Sequence, residues 1–113
     1  MRRAAAFAVL AMLAGCATEP PVPRAWVAKS AGTLQCETKA PDIARFTREL
    51  QAAGVEPQQV QCGHDGRMRP MMCGAPDGKL VAFLLRPQDV QAAQRAGFAP
   101  VAQMPLARLS PCP

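Results

Sequence analysis

The residues best equipped for chemistry lie together in the run Cys62-Gly63-His64-Asp65-Gly66-Arg67-Met68-Arg69-Pro70-Met71-Met72-Cys73. It holds two cysteines, the only histidine and three of the six methionines. Thiolate, thioether and imidazole are ligands that suit Cu(I). A soft-metal site here would draw on Cys62, His64, Met68, Met71, Met72 and Cys73. The competing account is a disulfide-closed loop whose methionines fill gaps beneath it. That account is preferred, because the spacing matches no metal motif and disulfide sulfurs are poor ligands. No metal or other cofactor is therefore expected. Asp65 and Asp77 each precede a glycine, as turn-forming residues do. Arg67 and Arg69 with Lys79 would make a small basic patch, expected to be solvated surface. Ser30 and Ser110 fall in a spacer and a tail. There is no phosphate-cradling glycine loop, zincin helix or nucleophile elbow, so catalysis is not expected.

The elements that must position this run read as one small α+β domain over residues 33–113. Thr33-Leu34-Gln35-Cys36-Glu37 alternates like a strand. After Pro41, residues Ile43, Phe46, Leu50 and Ala53 recur at helical spacing, and Gly54-Val55 has the form of a Schellman ending. Val55 to Cys62 reads as a strand that Pro57 confines to a sheet edge. Leu80-Val81-Ala82-Phe83-Leu84-Leu85 suits a central strand buried on both faces. A second helix opens at Pro87, passes through Val90 and Ala93, and closes at Gly97-Phe98. Val101 to Met104 reads as a short last strand before a Pro-rich tail. The order β-α-β-β-α-β predicts a ferredoxin-like sandwich. Its two halves echo each other, Ala53-Gly54-Val55-Glu56-Pro57 against Ala96-Gly97-Phe98-Ala99-Pro100.

Length and composition limit what that domain does. The 113 residues hold 12 Pro and no Tyr, and only 4% are aromatic, which leaves room for one modest core. The net charge of +5 falls to +3 without Arg2 and Arg3. No basic run is interleaved with aromatics, so nucleic acid is not an expected partner. Apart from Cys16, four cysteines remain: Cys36, Cys62, Cys73 and Cys112. An even number in a small exported domain predicts two disulfides. The favoured pairing is Cys62–Cys73 with Cys36–Cys112, the first closing a local turn-rich loop.

The N-terminal sixteen residues carry the most specific signal. Met1-Arg2-Arg3 is a basic start, Ala4 to Leu13 is an apolar run too short to span a bilayer, and Leu13-Ala14-Gly15-Cys16 follows. This resembles the lipobox of bacterial lipoprotein precursors. The body from Cys36 onward also resembles small proteobacterial lipoproteins, a likeness that carries no activity with it. The lipobox resemblance implies a signal peptide over residues 1–15, cleavage before Cys16, and a diacylglyceryl group on that thiol with an acyl chain such as palmitate on its amine. Ala17, in place of Asp, implies sorting to the outer membrane of a Gram-negative host. Residues 17–32, with Pro20, Pro21 and Pro23, read as an extended spacer, although Trp26 and Val27 within it are expected to pack on the domain. The expected protein is an outer-membrane-anchored periplasmic lipoprotein whose stapled domain binds an envelope partner. The alternative is a periplasmic copper-binding lipoprotein that uses the Cys62–Cys73 loop.

Overall fold

The structure is a computed structural model that describes Gly15 and residues 25–113. The expected signal segment (Gly15 apart), the lipidated Cys16 and spacer residues 17–24 lie outside the described residues. The elements are β1 (Ala25–Ser30), α1 (Ile43–Ala52), β2 (Gln59–His64), β3 (Lys79–Leu85), α2 (Val90–Arg95), β4 (Ala99–Pro100) and β5 (Arg108–Ser110). They form an α+β domain with one five-stranded antiparallel sheet in the order β4-β1-β3-β2-β5.

β3 is the central strand. Leu80 through Leu85 are buried, as the unbroken apolar run predicts. Its Val81, Phe83 and Leu85 join Val27, Phe46, Leu50, Val55, Ala93 and Phe98 in the core beneath the helices. Phe98 meets both Phe46 and Phe83 edge-on, with ring centroids 6.4 and 5.9 Å away, an arrangement that suits the aromatic quadrupole. The opposite face is smaller. Ala28, Leu80 and Ala82 are covered there by Trp26, Val101, Met104, Ala107 and Leu109.

Both helices end as their Gly-apolar pairs predict. Gly54 N–H donates to Gln51 O and Val55 N–H to Leu50 O; Gly97 N–H donates to Gln94 O and Phe98 N–H to Ala93 O. These are two Schellman motifs, with Gly54 and Gly97 at φ +78° and +93°. Each delivers its next residue, Val55 or Phe98, into the core. At the other end of α1, the Asp42 side chain caps Arg45 N–H.

Four expectations need correction. First, the folded unit includes residues 25–30, ahead of the expected start at 33. Ala25–Ser30 is a six-residue strand between β3 and β4, so these residues are not part of an extended spacer. A strand covered on both faces has no reason to alternate, and Trp26-Val27-Ala28 does not. Second, Thr33–Glu37 is not a regular strand. Leu34 makes one isolated bridge to Pro76, and Cys36 has φ +71°. Third, β2 lies inside the sheet, because β5 pairs with its outer edge. The Pro-rich tail supplies that strand, while Val101–Gln103 is a 3₁₀ turn after a two-residue β4.

The fourth correction is the disulfide pairing. Cys36 joins Cys73, and Cys62 joins Cys112. Register explains the second bond: Cys62 lies opposite Ser110, which brings Cys112 within 4.7 Å Cα to Cα. The first bond fixes residues 33–37 against the β2–β3 connection. Closing 37- and 50-residue separations, the two bonds each contribute about 4 kcal/mol on the loop-entropy account.

Candidate functional site

The β2–β3 connection, residues 65–78, is held by polar contacts in place of a core. Asp65 Oδ1 accepts from Arg67 N–H and Asp77 Oδ1 accepts from Lys79 N–H, so both aspartates form turns as expected. Asp65 also takes both arms of the Arg69 guanidinium, with one bond at 2.7 Å. Charge-assisted paired bonds of this kind are strong and directional. Hydrogen bonding from Arg69, helped by the Arg67 amide, holds the Asp65 carboxyl down at about 2 against the cost of burial. At Asp77 burial opposes ionisation, yet the Lys79 amide and the Thr33 hydroxyl, which donates at 2.7 Å, outweigh it and lower its pKa.

His64 closes the base of the loop. Its Nδ1 accepts from Gly66 N–H at 2.9 Å, which leaves Nε2–H to donate to Asp77 O at 3.0 Å. Both ring nitrogens are therefore engaged. Gly78 sits under this group at φ +78°, where a Cβ would fall 2.8 Å from His64 Nε2 and against Arg69. Gln35 grips the loop from the other side. Its side chain donates to Pro70 O and Pro76 O and accepts from Met72 N–H.

The sequence placed six residues in a possible metal set, and the structure disperses them. Cys62 and Cys73 belong to different disulfides. The His64 lone pair faces Gly66 N–H. Met68 is 100% exposed and Met71 95% exposed, and Met72 is exposed as well, so none fills a gap under the loop. Met71 and His64 do border the same shallow hollow. Among the described residues, no group of three His, Cys, Asp or Glu side chains is gathered as a metal would need. Within the expected basic patch, Arg69 is taken by Asp65, whereas Lys79 approaches Asp77 only to 3.8 Å.

A different feature emerges on the helix side of the sheet. A cleft of about 540 Å³ opens between residues 38–41, which lead into α1, and the β2–β5 edge with Pro111 and Pro113. The Cys62–Cys112 bond ties that edge to the tail. Register places Lys79, His64 and Arg108 opposite one another on three neighbouring strands, a cross-strand row about 10 Å wide at ordinary strand spacing. All three line the cleft, as does Lys39. Lys39 and Arg108 carried no signal in the sequence. They lie 69 residues apart, and only the unforeseen pairing of β5 with β2 brings Arg108 beside His64.

No protein-family model matches the chain, and no curated protein or solved structure is detectably similar to it. What the molecule does must be inferred from its own residues.

Proposed function

We propose that the chain is an outer-membrane lipoprotein anchored through Cys16, with its α+β domain in the periplasm serving as a non-catalytic binding module. One observation carries this reading: every cysteine after Leu13-Ala14-Gly15-Cys16 is paired in a disulfide. A motif that calls for export precedes a domain whose thiols need an oxidising compartment. Acylation of Cys16 by two or three chains would give stable anchoring, at about 0.8 kcal/mol per buried methylene. Ala17 favours the outer over the inner membrane on the lipoprotein sorting rule.

A binding role fits the polar groups of the domain better than catalysis does. His64, Asp65 and Asp77 are each committed to turn and loop hydrogen bonds. The same commitments, with Cys62 and Cys73 in separate disulfides, give the copper alternative no supporting observation. For the fold, the order β4-β1-β3-β2 with helices after β1 and β3 supports a ferredoxin-like sandwich extended by β5.

Metabolic labelling with a radioactive fatty acid, followed by membrane fractionation, tests the anchor. The wild type is expected to be labelled and to sediment with outer membrane, and Cys16→Ala to be unlabelled and released. Unchanged labelling and fractionation of Cys16→Ala would overturn the reading.

A further inference from the structure

The cleft beside β5 deepens the binding reading by naming a ligand class. Its lining includes Lys39, Lys79 and Arg108, and no Asp or Glu. Among the described residues neither Lys39 nor Arg108 enters an ion pair. Lys79 reaches Asp77 only at 3.8 Å. Arg108 donates to the carbonyls of Pro105 and Ala107, which orient the guanidinium but leave its charge uncancelled. Between these cations the walls are apolar, formed by Ala40, Pro41 and the tail prolines Pro111 and Pro113. Small-ligand sites share this character: a concave volume of about 300–1,000 Å³, mostly apolar, with a few polar groups that fix orientation.

We propose that this cleft binds a small ligand with an anionic head, carboxylate or phosphate, and a compact apolar body. The head lies along the Lys79–Arg108 row, with Lys39 closing over it from the segment before α1. Arginine and lysine together suit an oxyanion, and partial exclusion of water strengthens the attraction. The apolar body rests on Ala40, Pro41 and the tail prolines. The Cys62–Cys112 bond holds the tail in place as the outer wall. The cleft also lies at the end of the sheet away from Ala25, where β1 begins, because Ala25 pairs with Leu85 while Lys79 is the opposite end of β3. A tether entering at Ala25 would therefore leave the cleft open to the periplasm.

Titration of the full-length protein with benzoate, phenyl phosphate, benzyl alcohol and benzylammonium, followed by backbone NMR, tests the assignment. One or both anions are expected to give saturable shifts at Gly63, Leu80 and Leu109, and whichever binds identifies the head. Benzylammonium and benzyl alcohol are expected to give none. Lys39→Ala, in an exposed segment, and Arg108→Gln are each expected to weaken the anion at least threefold with an unchanged melting temperature. If Arg108→Gln disturbs the fold, Lys39→Ala and a rise from 50 to 500 mM NaCl, which should also weaken binding, decide the question. Absence of saturable shifts with both anions, or equal binding of benzylammonium, would overturn the proposal. Such a failure leaves the anchoring reading standing, since Cys16→Ala reports on that alone.

Discussion

Around Phe83 the chain is held by packing, whereas around Gly78, five residues earlier on the same strand system, it is held by polar contacts and sulfur. Phe83, Phe46, Leu50, Val81 and Leu85 are at most 1% exposed and pack together in one apolar cluster. Near Gly78 the neighbours are His64, Asp65 and Arg69, with Gln35, Thr33 and the Cys36–Cys73 bond completing the network. A domain this small can bury only part of its chain in apolar cores. The rest of its chain is ordered by turns, ion pairs and disulfides, which fix geometry while exposing side chains. That is why Met68 and Met71 stand in solvent on a well-tied loop.

Substitutions should separate the two regimes, the largest effect coming from the packed one. Phe83→Asp would strand a carboxylate among aromatic rings, and such a group has no partner there. Loss of the cooperative thermal transition is expected; a wild-type melt would remove Phe83 from the core. Next comes Cys36→Ala with Cys73→Ala, expected to cost up to about 4 kcal/mol. Hydrogen exchange should show the loss concentrated in residues 33–37 and 65–78, with β3 still protected. Uniform loss of protection would mean that the loop network and the core are a single cooperative unit.

Smaller perturbations sharpen the same contrast. Gly78→Ala forces an L-residue into the left-handed region and pushes a Cβ toward His64 and Arg69; a cost of about 2 kcal/mol in denaturant unfolding is expected. Acid should loosen the loop before the core. Asp65 has a folded pKa near 2, below the value of about 3.9 expected when unfolded. Its contribution is therefore complete above about pH 4 and is lost as pH falls through 2. Proteolysis or exchange between pH 4 and 2 should reveal opening at residues 65–70, and Asp65→Asn should remove that pH dependence. Met68→Ala, on a fully exposed side chain, should change stability by less than about 0.5 kcal/mol.

The sequence disclosed what local physics decides and concealed what register decides. Phe46 and Leu50 at helical spacing, the Gly54-Val55 and Gly97-Phe98 endings, and the apolar run of β3 depend on neighbours a few residues away, and each is present in the structure. β1 went unseen because burial on two faces erased its alternation. β5 went unseen because three residues near prolines leave no pattern. The disulfide partners followed from the same omission: without β5 beside β2, nothing distinguished Cys112 from Cys73 as the mate of Cys62. Of the candidate-site residues, the His64 loop was legible by composition alone, but the cationic row across β3, β2 and β5 required three strands in register.

The position of β1 also decides how the domain would carry a load. Its six residues lie between two antiparallel neighbours and pair with β3 along their whole length. Tension applied at Ala25 and resisted at the far end of the sheet runs parallel to the strands. The β1–β3 hydrogen bonds would then be sheared together, not opened one after another as in a peeled edge. Forced unfolding is governed by the barrier to leaving the native state, and simultaneous rupture raises that barrier. Beyond β1, the Cys36–Cys73 and Cys62–Cys112 bonds limit how far the remaining chain can be drawn out. A domain pulled from Ala25 would thus resist as a single block, with covalent stops behind its first strand.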